Sequence, residues 1–235
     1  MTTRTPITLV LVALLALAGC AKTKVSNRQE YTGNKIPRPG HILVYDFAAT
    51  AADLPADSEL AGRHSEHEKP QTAEQIEMGQ KLGAEIAAHL VAEIRAMGMP
   101  AERAAAASQA QINDLIIRGY LLAVDKGDAI GRVAIGFGSG GSDLRAAAEG
   151  FQMTATGLRK LGGGQLDAGG GKTPGTALGV ASLIVTHNPV GLIVGTGMNV
   201  YGEKSGKSTI EGRAEQTAKE IADQLRIKFK EQGWI

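Results

Sequence analysis

Three short segments carry residue types that could do chemistry. Gly136-Phe137-Gly138-Ser139-Gly140-Gly141 fits the spacing G-x-G-x-x-G, whose glycines let a backbone approach a pyrophosphate at a helix N-terminus. Its setting argues against that use. The strand read before it, Ile130 to Phe137, is not the first of a βαβ unit. The expected ribose-binding acid, about 20 residues on, is missing; Asp167 lies 26 past Gly141. Gly169-Gly170-Gly171-Lys172-Thr173 is the second segment. A phosphate loop needs Gly five places before the Gly of Gly-Lys-Thr, and Leu166 stands there, with Pro174 directly after the motif. The third is His64, Glu66, His67 and Glu68, a set of zinc-ligand types. It lies in a charged loop with no helical spacing and reads as solvated. Five scattered histidines supply no Ser–His–Asp geometry. His89 falls one position off an apolar helical stripe. Asp46, in an apolar run, is the best single carboxylate for a buried role, with a turn or cap hydrogen bond as the ordinary use. No catalytic set, cofactor site or metal site is expected.

The remaining reactive side chain is a thiol. Cys20 is the only cysteine, so it cannot form an internal disulfide. Before it stand one basic residue, Arg4, and an apolar run from Ile7 to Leu17. That run is too short to cross about 30 Å of hydrocarbon as a helix, which takes about 20 residues. A basic start, a short apolar core and small residues at the cut are a secretory signal. Leu17-Ala18-Gly19-Cys20 resembles the lipobox of bacterial lipoproteins. The resemblance implies a diacylglyceryl thioether on Cys20, cleavage before it, and fatty acylation, palmitate included, of the new amine. Ala21 and Lys22, not Asp, follow the Cys, and by the same resemblance the outer membrane, periplasmic side, is the expected address.

Removing the nineteen-residue signal from 235 leaves 216 residues, room for one domain. It also removes Arg4 and leaves 24 basic against 24 acidic residues, so no strong field draws nucleic acid. Residues 20–40 are polar and broken by Pro37, Pro39 and Gly40, which reads as a flexible tether. Residues 41–235 then form a single domain.

The elements of that domain follow from periodicity. His41 to Phe47 is a first strand. Thr72 with Gln75 makes a capping box. Ile76, Gly79, Leu82, Ile86, Leu90, Ile94 and Met97 form the stripe of a helix stopped by Gly98 and Pro100. Pro100 to Arg103 is a brief strand, and Asp114 to Val124 a central one. Leu144 to Gly157 reads as helix at first and as strand from Phe151. Ser208 or Thr209 caps a last helix along Ile210, Ala214, Ala218, Ile221, Leu225 and Phe229, ended by Gly233. The expected fold is α/β (α+β): one mixed sheet of about four to five strands packed by two long amphipathic helices. A Gly-rich apolar insertion occupies about 160–205.

Within it, residues 173–202 contain no Asp, Glu, Lys or Arg. Two apolar halves flank His187-Asn188-Pro189, and each holds or borders a G-x-x-x-G, Gly175/Gly179 and Gly191/Gly195. That spacing allows close approach of helices, and the lack of alternation favours a helical hairpin over barrel strands. These four glycines are candidate contacts within the domain, between protomers, or with the membrane.

Val44-Tyr45-Asp46-Phe47, Ile117-Arg118-Gly119, Arg132 with Ile135-Gly136-Phe137-Gly138-Ser139-Gly140, and Gln232-Gly233-Trp234 together carry a further resemblance. On them residues 41–235 resemble a family of small Gram-negative lipoproteins known as a domain of unknown function. The strand–helix order is distantly similar to curli-secretion-channel subunits and activators of cell-wall synthesis, which act by assembly or partner binding. The implied role is a non-enzymatic envelope module, membrane-bound through lipidated Cys20, with a protein partner or a homo-oligomer and no nucleic acid. The alternative is a membrane-inserting oligomer or pore component that uses residues 173–202.

Overall fold

The computed structural model describes residues 23–54, 72–105, 108–125, 142–169, 193–195 and 209–235. Two long helices lie on one face of a mixed sheet. The sheet follows the path β1 (Lys24–Glu30), β6 (Gly157–Gly169), β5 (Asp143–Thr154), β4 (Leu115–Asp125), β2 (Ile42–Val44), β3 (Ala101–Arg103). From β4 to β1 the neighbours are antiparallel, whereas β2 is parallel to both β3 and β4. A seventh strand, β7 (Ile193–Gly195), runs parallel to the far end of β4. The count exceeds the four to five expected because β1, β6 and β7 come from segments read as tether and insertion.

Helix α1 (Ala73–Ala96) starts as its sequence dictates. Thr72 Oγ1 accepts from Gln75 N–H and Gln75 Oε1 accepts from Thr72 N–H, at 3.2 and 2.8 Å. Its buried stripe includes Leu82, Ile86, Leu90 and Ile94. Gly98, in the left-handed region at φ 77°, turns the chain into Pro100 and β3. Helix α2 (Ile210–Gln232) is capped by Thr209, whose hydroxyl accepts from Gly212 N–H at 3.1 Å. Gly233, at φ 78°, ends it, with Trp234 N–H returning to Phe229 C=O at 2.9 Å. Buried Arg213 ties α2 to the start of β5 by donating from Nε to Ser142 C=O at 3.0 Å. Burial lowers its pKa, and the charges of Asp143 and Asp167 partly restore it. Among the described residues no helix is long and apolar enough to cross a membrane.

The core lies between helices and sheet, where Ile42, Val44, Leu121, Val124, Leu144 and Ala146 meet Ile86, Leu90, Ile94, Ala214 and Ala218. Each fully buried Val, Leu or Ile there contributes about 1.5–3 kcal/mol. Two glycines set how closely the layers sit. A Cβ on Gly83 would overlap the carbonyl oxygen of Phe47, and one on Gly119 would overlap the Phe47 ring. Phe47 is therefore wedged between α1 and β4, and its N–H donates to Gly83 C=O at 3.2 Å.

Four expectations are corrected. Lys24–Glu30, inside the segment read as tether, pairs with β6 as an edge strand. Residues 160–169, read as the start of the insertion, belong to β6, at the centre of the antiparallel half. Asp143–Thr154 is strand throughout. Its helix-forming Leu144-Arg145-Ala146-Ala147-Ala148-Glu149 is held extended by β4 on one side and β6 on the other, a case of tertiary context overriding propensity. Ile193–Gly195, within the second half of the expected helical hairpin, is strand, and Gly195 stands opposite Asp125.

Candidate functional site

The sheet and α2 diverge near the C-terminal end of the helix, and a groove of about 200 Å³ opens there. Its floor is bare for a reason visible in the strands. β5 turns Ala148 and Gly150 toward the helices, and β6 brings Gly162-Gly163-Gly164. Nothing lies within 4 Å of where a Gly150 Cβ would stand. The roof is Ile221, Leu225 and Phe229 of α2 with Trp234 just past its end. The side wall is the strap formed by β1 and the residues after it, through Val25, Tyr31 and Ile36. The strap passes so close to β6 that a Cβ on Gly162 would stand 2.5 Å from Gln29 C=O.

The strap is latched at its end. Gln232 Oε1 accepts from Ile36 N–H at 2.8 Å, and Trp234 Nε1–H donates to Ile36 C=O at 3.2 Å. The Trp234 ring rests on Phe229 with centroids 5.3 Å apart. Gln232-Gly233-Trp234 is thus a clamp, with Gly233 supplying the turn between its two arms. Charges sit at the mouth: Lys228 Nζ bonds Glu30 at 3.0 Å and Glu231 at 2.8 Å, and Arg28 pairs with Glu30 at 2.6 Å. The hydrogen bond and charge of Lys228 hold the exposed Glu30 carboxyl below its ordinary range. Lys228 is raised by the hydrogen bond to Glu231, with Glu30 adding to it against a burial penalty.

A second polar cluster lies on the opposite face of the sheet. Tyr120 Oη donates to Glu149 Oε2 at 3.0 Å and Lys160 Nζ to Oε1 at 2.9 Å. The Arg118 guanidinium lies 5.3 Å from the Phe151 ring centroid and 5.9 Å from that of Tyr45. This satisfies a buried carboxylate and stacks a cation between rings.

Of the residues singled out for chemistry or contact, the described ones, Asp46, His89 and Gly195, do not line this groove. Cys20, His64, Glu66, His67, Glu68, Gly136–Gly141, Lys172, Thr173, Gly175, Gly179, His187 and Gly191 lie outside the described residues. His89 is exposed on α1. Asp46, the best single candidate for a buried role, has an ordinary one instead: nearly half exposed, it takes a two-pronged hydrogen bond from Arg103 at 2.6 and 2.7 Å. Among the described residues the buried carboxylates are Glu149 and Asp114, the latter accepting from His41 N–H and Gln111 N–H. Arg103→Ala is expected to cost under about 1 kcal/mol, as exposed pairs do; chemical denaturation would check it. Among the described residues no three His, Cys, Asp or Glu gather where a metal ion could bind.

The described motif residues near β2 and β4 do meet, as framework, while Arg132 and Ile135 lie outside the described residues. Tyr45 stacks near Arg118, and Phe47 packs on Gly119, so Val44-Tyr45-Asp46-Phe47 and Ile117-Arg118-Gly119 lock β2 and its exit to β4. A family model described as "Domain of unknown function (DUF4410)" matches residues 42–186. The chain belongs to the DUF4410 family. The match takes in both of those motifs and ends before the Gln232-Gly233-Trp234 clamp, so the groove's roof and strap lie beyond the DUF4410 span. The chain is also similar to the PelC dodecamer from Paraburkholderia phytofirmans, at 12% identity over 70% of this chain and 94% of that one, with a TM-score of 0.37. A variant of that dodecamer gives 13%, 69%, 92% and 0.36. No curated protein matches.

Proposed function

We propose that this DUF4410 chain is a lipid-anchored module of the cell envelope, held at the periplasmic side of the outer membrane through Cys20. It works by binding a protein partner or a second copy, not by catalysis. The observation that carries this reading is the open sheet. It ends on β1 and β3, and among the described residues neither pairs with another strand on its outer side. A free strand edge offers a row of backbone donors and acceptors to another chain. Anchoring in one membrane raises the effective concentration of copies for each other. The address rests on the Arg4, apolar run and Leu17-Ala18-Gly19-Cys20 pattern.

Light scattering on the mature chain is expected to give a mass above one copy, or crosslinking in cells a discrete adduct. A strict monomer with no adduct removes the reading. Cys20→Ala is expected to abolish lipid labelling and membrane retention, checked by metabolic labelling and fractionation. Retention of that variant in the membrane fraction would move the anchor to residues 173–202.

A further inference from the structure

We propose that the groove beneath the strap takes one hydrocarbon chain of an uncharged or zwitterionic membrane lipid. Three observations support this occupant. The lining is mostly apolar: glycine and alanine on the floor, aliphatic and aromatic side chains on roof and side, with Gln224 a polar exception on the roof helix, its side-chain oxygen buried without a partner. The volume, about 200 Å³, exceeds the roughly 150 Å³ apolar cavity that stays dry and binds benzene. It falls short of the roughly 300 Å³ at which drug-sized pockets begin. That volume suits a single chain segment better than a fused-ring lipid or a pair of chains. At the mouth, Arg28 and Lys228 are matched by Glu30 and Glu231, so no net charge selects an ionic head.

Position supplies the source. The inference rests here on the anchored reading above. Lys24, the first residue of β1, is four residues from Cys20, and four residues of extended chain reach at most about 14 Å. An anchor at Cys20 therefore keeps the strap, and the groove it walls, close to the lipid surface.

The protein carries its own reporter, because Trp234 is the only tryptophan and lines the groove. The probe is 1-decanol, added to the mature chain with Cys20→Ala. The expected result is a saturable change in Trp234 emission. Gly150→Leu sends a side chain into the empty floor and is expected to weaken that binding by at least about tenfold. Its far-UV circular dichroism should be unchanged and its thermal midpoint not lowered. Ala148→Leu fills the neighbouring floor position and serves if Gly150→Leu misfolds. A wild-type response that never saturates overturns the proposal, as does unchanged binding in a folded floor-filled variant. The lipidated chain, stripped of loose lipid, separates the sources. It should respond like Cys20→Ala; silence there would mean that its own acyl chain fills the groove, which overturns the membrane lipid as occupant. None of these results alters lipid labelling at Cys20, so the anchored reading stands or falls separately.

Discussion

Trp234→Ala is expected to destabilise the domain by about 3–5 kcal/mol, the range for deleting a buried tryptophan. Trp234 is 9% exposed and its ring packs on Phe229. Its removal also leaves the Ile36 carbonyl without its donor. The loss should be anisotropic. β1 holds little of its own surface in the core, with most of its side chains exposed, so the strap should detach before the sheet unfolds. Hydrogen exchange would show amides 24–36 released first, and equilibrium unfolding would give the total. Gln232→Ala removes only the acceptor for Ile36 N–H and should cost about 1–3 kcal/mol. The two substitutions should be less than additive, since they break one clamp.

Gly83→Ala is the second large effect, and its sign is decided by two opposed terms. Alanine in a helix interior is better than glycine by about 1 kcal/mol. The new methyl, however, collides with the Phe47 carbonyl, a backbone atom held in place by the adjoining Phe47 N–H to Gly83 C=O bond. No flexible side chain can yield, and forced overpacking costs up to about 3 kcal/mol. The net expectation is a loss of about 2 kcal/mol. For a domain near 200 residues this lowers the thermal midpoint by roughly 4–8 °C. Gly150→Ala, with nothing to strike, is the control and should leave the midpoint unchanged or raise it.

The parts of the fold that could be read from sequence are those set by neighbours along the chain. Thr72 with Gln75, Thr209, Gly98 and Gly233 act within one helical turn, and the two helices begin and end where those residues require. β4 was legible because its apolar run is rich in β-branched and aromatic residues, Ile116, Ile117, Tyr120 and Val124, which favour a strand. β5 and β1 were not. Ala146-Ala147-Ala148 has no β preference of its own, and β1 is as polar as a linker; each is a strand because of a partner supplied from elsewhere. The groove was hidden for the same reason. Gly162-Gly163-Gly164 reads as a loop signal until β1 and α2 are laid over it. Three glycines then become the floor of a site whose roof comes from residues some sixty positions later. Asp46 shows the reverse case: its apolar neighbours made it the best candidate for burial, but it lies two residues past a three-residue strand and turns out to Arg103.

The clamp on Ile36 also sets an order of events. Its two arms lie 196 and 198 residues away along the chain, and β1 finds its partner only in β6. Loop closure over such separations is slow compared with helix formation or the β5–β6 hairpin. The N-terminal strand of the sheet is therefore fixed last. While the rest of the domain assembles, residues 24–36 remain a free leash.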